Sequence, residues 1–240
     1  MPPPKRYAEI DLARLLAMLM MATYHCAFDL QEYYAWPLAV REGWWLMLQR
    51  ATLILFLLVS GVSATLMRRA LHARGHANVI GAFWRRALRV LGAAMLVTIA
   101  TYGFDPTTYV RFGVLHCIAV AWLMLPFLLP LGEAAAAIGL LCIGIAQLHG
   151  GIAGSSLLIP FGFPPPSFAT VDYVPLLPWL GVILIGTAIG NFLYVRDHRG
   201  AWKMPEPLVT LSCPGRYALL FYLLHQPMIL GLLRLILGPR

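Results

Sequence analysis

The chain has 240 residues, of which 60% are hydrophobic and only 12% are charged, and it carries a net charge of +8. Soluble domains average about 25% charged residues. The composition therefore excludes a soluble globular domain and predicts an all-α protein that crosses the lipid bilayer several times. The basic residues are grouped, and no nucleic-acid-binding motif accompanies them, so we expect no nucleic acid as a partner.

Apolar windows of about 20 residues mark the predicted membrane spans. They cover residues 11–30, 44–66, 83–102, 112–130, 133–149, 175–194 and 215–237. The chain shows no internal repeat and no segment with the composition of a soluble domain. We therefore expect residues 1–240 to form one integral-membrane helical bundle of about seven spans.

The charged loops predict the orientation of these spans. Residues 67–90 hold six arginines and no acidic residue, whereas residues 149–174 hold no Lys or Arg. The positive-inside rule then places the first of these loops in the cytoplasm, together with the N-terminus and its Lys5 and Arg6. With an odd number of spans, the C-terminus is expected on the opposite side.

The first span carries a polar stripe. Asp11, Arg14, His25 and Asp29 fall within an arc of roughly 60° on a helix. Ionisable groups at membrane depth are costly and indicate a partner or a function. His25 and Asp29, four residues apart, form either a general base oriented by a carboxylate or a buried polar pair that joins two helices.

Asp11 and Arg14 lie three residues apart at the other end of the stripe. They can form a local ion pair or anchor the helix to lipid headgroups. Alternatively, Arg14 can bind a phosphate of a cytoplasmic donor. Arg14 lies about 16 Å along the helix from His25, a distance that suits a long nucleotide-bearing donor.

Span two adds one charge and a small-residue segment. Arg50 either pairs with Asp29 or extends its charge to the membrane surface. Ser60, Gly61 and Ser63 indicate close helix packing more than ligand contacts.

Polar side chains recur at the ends of three later segments. His116 opens span four and enters from the same side as His25. Asp172 precedes span six and is either an acceptor ligand or a solvated loop residue. In the last span, His225 and Gln226 adjoin Pro227, which interrupts the helix hydrogen bonds, and they line a site or only a packed kink. No spacing typical of a metal site is present, so no metal is expected.

Five motifs occur in an order typical of one family. They are R-x-x-E-I-D-x-x-R with M-x-x-x-x-H-x-x-x-D-L, R-A-x-x-x-x-F-L-L-V-S-G-V-S, R-F-G-V-L-H-x-I-A, D-Y-x-P-L-x-P-W-x-G and G-R-x-x-L-x-x-Y-L-x-H-Q-P. The chain thereby resembles the heparan-α-glucosaminide N-acetyltransferase catalytic-domain family of bacterial membrane proteins, related to transmembrane acyltransferases. The likeness extends over nearly the whole chain.

This resemblance implies transfer of an acetyl group from cytoplasmic acetyl-CoA to a sugar or glycan on the far side of a bacterial cytoplasmic membrane. The first-span histidine, His25, occupies the central position of the family pattern. We therefore expect three groups of site residues. Catalysis is assigned to His25, Asp29 and His116, acceptor binding to Asp172, Arg50, His225 and Gln226, and contacts with the CoA phosphates to Arg14, Arg85 and Arg86.

Two other classes of protein fit a polar stripe less well. A proton-coupled transporter would use the stripe as a pathway, but the inverted repeats typical of transporters are not evident. A purely structural subunit would leave the aligned charges without an explanation. The sequence leaves open whether copies of the chain associate into a homo-oligomer.

Overall fold

A computed structural model describes residues 7–148, 153–196 and 203–238. Lys5 and Arg6, on which part of the predicted orientation depends, lie outside these ranges. The α-helices are α1 (Ala8–Tyr34), α2 (Gly43–Ala73), α3 (Val79–Phe104), α4 (Val114–Leu128), α5 (Ala135–Leu148), α6 (Leu176–Gly190), α7 (Glu206–Leu211) and α8 (Ala218–Leu237). Across the described ranges there is no β-strand, only one isolated bridge between Phe112 and Tyr173. The all-α prediction is confirmed.

The helices are long and apolar enough to cross a membrane. Six continuous helical stretches of the described chain meet that condition by length and composition, and one of them runs from Val114 to Leu148. Large apolar side chains remain exposed along them: Trp44 is 70% exposed, Ile99 65% and Leu235 83%. Such apolar surface is stable only against lipid. The chain is therefore an integral membrane protein in contact with the bilayer.

The stretch from Val114 to Leu148 reverses direction at Gly132, whose φ of 58° and ψ of −125° favour glycine. Glu133 pairs with Arg196, beyond the end of α6, at 2.9 Å. Gly139, at the start of α5, packs against Gly181 near the beginning of α6. Hence α5 runs antiparallel to α6, and the stretch contains two of the predicted spans.

The chain forms two compact units. The terminal unit comprises Met1–Phe56 and Ala201–Arg240, and the central unit comprises Leu57–Gly200. In the terminal unit, α1 packs against α7, α8 and the 3₁₀ turn Cys213–Tyr217. In the central unit, α3 packs on α4, and both α4 and α5 pack on α6.

Helices α1 and α8 run parallel. Contacts join Asp11 to Arg216, Asp29 to Gln226 and the Tyr34 hydroxyl to the Gly238 carbonyl, so residue numbers rise together along both helices. When the first and last spans of a membrane protein run parallel, the total number of spans, counting both of them, must be odd. This direction agrees with seven spans once the reversal at Gly132 is counted.

Close backbone contacts hold the central unit together. A Cβ on Gly61 would lie 2.1 Å from the Ile183 carbonyl oxygen, and one on Gly186 would lie 2.3 Å from that of Leu58. The Thr65 hydroxyl donates to the Thr187 carbonyl at 3.0 Å. Small residues that let backbones approach are a usual means of helix association in membranes. The packing role predicted for Gly61 is confirmed.

Arg68 and Arg69, predicted to lie in a basic loop, belong to the last turns of α2 and bind the carboxyl ends of other helices. Arg68 donates to the Leu129 carbonyl at 2.9 Å, directly after α4, and Arg69 donates to the Tyr194 carbonyl in the π-helical extension of α6. Cations at helix C-termini satisfy free carbonyls and interact favourably with the helix dipole. These two arginines therefore stabilise the fold as well as bearing on its orientation.

Candidate functional site

A buried carboxylate joins α1 to α8 in the terminal unit. Asp29 is fully buried, and both of its oxygens accept from the Gln226 side-chain nitrogen, at 2.7 and 3.0 Å. An ionised carboxylate only accepts hydrogen bonds, so it determines which end of the Gln226 amide faces it. The amide oxygen of Gln226 then points elsewhere, and it is buried without a hydrogen-bond partner among the described residues.

Two histidines adjoin this pair. The rings of His25 and His225 lie 5.0 Å apart between centroids, in an edge-to-face arrangement. Nδ1 of His225 lies 2.7 Å from the Tyr222 carbonyl oxygen and must donate to it. In the neutral ring, Nε2 is then the acceptor nitrogen. Within the described ranges this atom is buried and has no hydrogen-bond partner, so it is free to accept a proton or a hydrogen bond from a ligand.

The expected orientation of His25 by Asp29 is wrong. Gln226 takes both oxygens of the carboxylate. The four-residue spacing placed the two side chains on one face, but it could not account for a donor brought in by α8. Arg50 forms no ion pair with Asp29 in the described part of the chain and is exposed, which leaves the alternative that its charge extends toward the membrane surface.

The N-terminal end of α1 holds a second charged cluster. Arg14 donates to Asp11 at 2.6 Å, and Arg216 approaches the other oxygen of the same carboxylate at 3.5 Å. A Cβ on Gly215 would lie 1.9 Å from the Asp11 backbone oxygen, so only glycine permits this approach. The local ion pair predicted for Asp11 and Arg14 is confirmed. Two guanidinium groups therefore lie against one carboxylate.

In the central unit, His116 and Asp172 meet at the start of α4. Nδ1 of His116 accepts from the Gly113 backbone N–H at 3.3 Å, so Nε2 carries the proton and faces the Thr98 hydroxyl, also at 3.3 Å. Asp172 accepts from the Val114 N–H at 3.2 Å. Both side chains thus satisfy free N–H groups at a helix N-terminus. The roles predicted for them in catalysis and acceptor binding stay predictions.

The Asp172 carboxyl lies in the loop before α6. Burial raises its pKa to about 6, while the hydrogen bond from the Val114 N–H acts in the opposite direction. A carboxyl that titrates near neutral pH is suited to proton exchange, although helix capping alone also accounts for its position.

The basic residues assigned to the donor have different surroundings. The guanidinium of Arg86 lies 4.6 Å from the centre of the Trp122 ring, and the Trp122 indole N–H donates to Ser60. Arg85 and Arg86 are both exposed. Their assignment to the donor phosphates stays a prediction.

Two site features escaped the sequence analysis. Arg216 lies in one of the five motifs but was assigned no role, and the signal for it is the acidic Asp11 on α1, which it approaches. Arg111 heads another motif, and its guanidinium packs against the rings of Tyr109 and Phe168. No group of three or more His, Cys, Asp or Glu side chains in the described ranges is placed to hold a metal ion.

Comparison with known proteins identifies the family. The family model described as heparan-alpha-glucosaminide N-acetyltransferase, catalytic, matches residues 6–227. Neither a curated protein nor a solved structure matches the chain. The family supports a membrane acetyltransferase-like activity. Since the matched region covers most of the chain and includes the α1–α8 cluster, this integral membrane protein belongs to the heparan-alpha-glucosaminide N-acetyltransferase catalytic family.

Proposed function

We propose that the protein transfers an acetyl group from cytoplasmic acetyl-CoA to a hydroxyl or amine of a sugar or glycan on the opposite face of a bacterial cytoplasmic membrane. The observation that carries this proposal is the buried α1–α8 cluster, where the Nε2 atom of His225 and the amide oxygen of Gln226 have no partner among the described residues. Buried acceptors of this kind are costly unless a ligand satisfies them.

His25 is assigned the role of general base. Acetyl-CoA supplies an activated thioester, from which the thiol leaves as the acetyl group passes to the acceptor. The acceptor hydroxyl or amine must lose a proton as its new bond forms, and an imidazole is suited to receive that proton near neutral pH. The proton is then returned to the leaving thiolate, so the histidine is regenerated.

The residues around His25 bind the substrates and hold the binding groups in position. Nε2 of His225 and the amide oxygen of Gln226 accept hydrogen bonds from the acceptor or the donor amide. Asp29 acts as a positioning residue, because its carboxylate holds the Gln226 amide with the oxygen turned away from it. His116 and Asp172 are assigned to the acceptor from their place at the start of α4.

Arg14 and Arg216 are assigned to the donor phosphates. The two guanidinium groups lie together against the Asp11 carboxylate at the N-terminal end of α1. Planar guanidinium groups suit phosphate oxygens. Arg85 and Arg86 add positive charge on α3 and would attract the donor.

Labelled acetyl-CoA and a panel of glycan acceptors, given to the purified protein in liposomes, test the proposal. His25→Ala should lower transfer by roughly 10²- to 10⁴-fold, the usual contribution of a general base. His76→Ala removes an exposed histidine in the loop before α3 and serves as the matched control.

The proposal fails if the wild-type protein neither labels an acceptor nor releases CoA faster than His25→Ala does. A proton flux that depends on His25, without acetyl transfer, would instead support the transporter alternative.

A further inference from the structure

The central unit has a cavity near the C-terminal end of α3 that none of the assigned roles uses. Its volume is about 380 Å³. Thr98 on α3, Tyr109 and Arg111 in the loop before α4, and Ser156 in the segment after α5 contribute to its lining. Among the residues that the structure describes, Arg111 is the single charged side chain in that lining. The cavity wall therefore presents a cation and no acid.

Arg111 is held in place in this wall. Its guanidinium carbon lies 5.0 Å from the centre of the Tyr109 ring and 5.3 Å from that of the Phe168 ring, both at cation–π distance. The Thr170 hydroxyl donates to the Tyr109 carbonyl at 2.9 Å and so joins the loop before α4 to the loop before α6. The guanidinium and its two rings thus form a preformed surface.

The described ranges of the chain supply no anion to Arg111. Its Nε is buried without a hydrogen-bond partner, and none of the ion pairs within these ranges includes it. The acids of the adjoining loops have other partners: Asp105 accepts from the Thr108 hydroxyl, and Asp172 accepts from the Val114 N–H. A buried donor on a cation is costly when unpaired, so a partner from outside the chain is expected.

Apolar side chains that face the bilayer adjoin the cavity on two sides. The 3₁₀ turn Ser156–Phe161 lines the cavity with Ile159, whereas Leu157 of the same turn is 87% exposed. On α3, Tyr102 is exposed, and its ring lies edge to face with that of Tyr109, 5.1 Å apart between centroids. Exposed apolar surface of this kind is stable against lipid tails. A ligand that reaches the cavity from this side must combine an anion with apolar chains.

We propose that this cavity binds the headgroup of an anionic phospholipid, with the phosphate on Arg111 and the acyl chains against Leu157 and the exposed face of α3. A guanidinium can give a phosphate two parallel hydrogen bonds, and the Ser156 hydroxyl can donate another. The lining holds no carboxylate to balance the ammonium group of a zwitterionic lipid, so a headgroup with a net negative charge is favoured. This binding needs no acetyl donor, and the proposal therefore goes beyond the proposed function.

The full chain, washed free of lipid in detergent, is titrated with dioleoyl-phosphatidylglycerol, dioleoyl-phosphatidylcholine and glycerol 3-phosphate, and native mass spectrometry measures the occupancy. Phosphatidylglycerol should bind the wild type roughly 10-fold more tightly than phosphatidylcholine, as expected when one charge-assisted contact decides between them. Equal affinity for the two lipids would overturn the proposal. Binding of glycerol 3-phosphate as tightly as phosphatidylglycerol would also overturn it, because the occupant would then be a soluble anion.

Arg111→Gln should abolish the preference for phosphatidylglycerol, and Arg111→Lys should retain part of it, because lysine keeps the charge but loses the planar fork. Arg74→Gln removes an exposed arginine from the turn after α2 and is the control for general attraction of anionic lipid. If both glutamine variants lose the preference equally, the attraction is general and the proposal fails. If Arg111→Gln does not fold, the comparison of the three probes on the wild type still decides the outcome.

Leu157→Ser tests the place of the acyl chains. It should weaken the binding of both lipids by roughly 10-fold, because a leucine side chain loses its apolar contact, and it should leave the preference for phosphatidylglycerol unchanged. Leu235→Ser alters a leucine of α8 that is 83% exposed and serves as the matched control. Unchanged lipid affinity in Leu157→Ser would contradict the placement of the acyl chains beside this turn.

Discussion

The acids and histidines of the two units have different hydrogen-bond partners. In the central unit, His116 and Asp172 each accept from a backbone N–H. In the terminal unit, Asp29 and Gln226 bond to each other, and the cluster leaves the Nε2 atom of His225 and the Gln226 oxygen without partners among the described residues.

This difference distinguishes polar side chains that complete the fold from polar side chains that are available to a ligand. A side chain that completes a helix end or a backbone contact has its hydrogen-bonding capacity filled by the fold, and its position needs no ligand. An open acceptor or donor in a buried place lowers stability, and a ligand can satisfy it. By this criterion the open groups of the terminal unit are candidates for ligand contacts, and in the central unit the Arg111 Nε is also buried without a hydrogen-bond partner among the described residues.

The largest effect is expected from the backbone contacts of the central unit. Gly61→Ala would place a Cβ 2.1 Å from the Ile183 oxygen, so the helices must separate, at a cost of about 3 kcal/mol in the free energy of unfolding. Gly92→Ala in α3 meets nothing within 4 Å and should stabilise by up to about 1 kcal/mol. Denaturation in detergent measures both, and equal effects would contradict the close packing.

The contrast between open and filled polar groups is tested by His225→Phe against Thr187→Val. His225→Phe keeps an aromatic ring against Phe221 but removes the open Nε2, so acetyl transfer should fall by roughly 10- to 100-fold with little change in melting temperature. Thr187→Val removes a hydroxyl that donates to the Leu184 carbonyl, and it should cost about 1 kcal/mol of stability while activity is retained. The opposite pattern would remove the distinction between the units.

A double-mutant cycle on Asp29 and Gln226 measures the link between α1 and α8. Each single alanine substitution leaves the other side chain buried without its partner, so the two effects should not add. We expect a coupling free energy of about 1–2 kcal/mol, which is large for side-chain hydrogen bonds within membranes. The pair Thr52→Ala and Gln226→Ala serves as a control. The Thr52 hydroxyl donates to the Leu48 carbonyl and not to Gln226, so the two effects should add. A coupling near zero would mean that the carboxylate does not hold the amide.

The smallest expected effect is the pH dependence of stability that Asp172 causes. Its pKa in the folded chain, about 6, lies above the ordinary value of 3.8. The folded state therefore binds more protons than the unfolded state between about pH 4 and 6, and stability falls as the pH rises through that window. Asp172→Asn should remove this loss of stability. We expect the loss to be about 1 kcal/mol in the free energy of unfolding, because the side chain is partly exposed and solvent weakens the effect of burial. Detergent unfolding at pH 4 and pH 7 measures it, and identical pH dependence in both proteins would show that Asp172 is not the cause.

The site was predictable where its residues share one helix. The stripe on α1 depends only on helical periodicity, so Asp11 and Arg14 were correctly paired from their spacing. The partner of Asp29 was not predictable, because Gln226 is 197 positions away and either helix could have presented several faces to the other. The same limit hid Arg216, whose approach to Asp11 depends on the absence of a side chain at Gly215.

The sequence by itself determined that the chain is an all-α membrane protein, because hydropathy and charge decide which segments can leave water. It also determined the family, through motifs whose order does not depend on packing. Only the tertiary structure decided which polar groups are filled and which are open. That outcome depends on distances between helices remote in sequence, and it distinguishes the capping residues His116 and Asp172 from the open acceptors of His225 and Gln226.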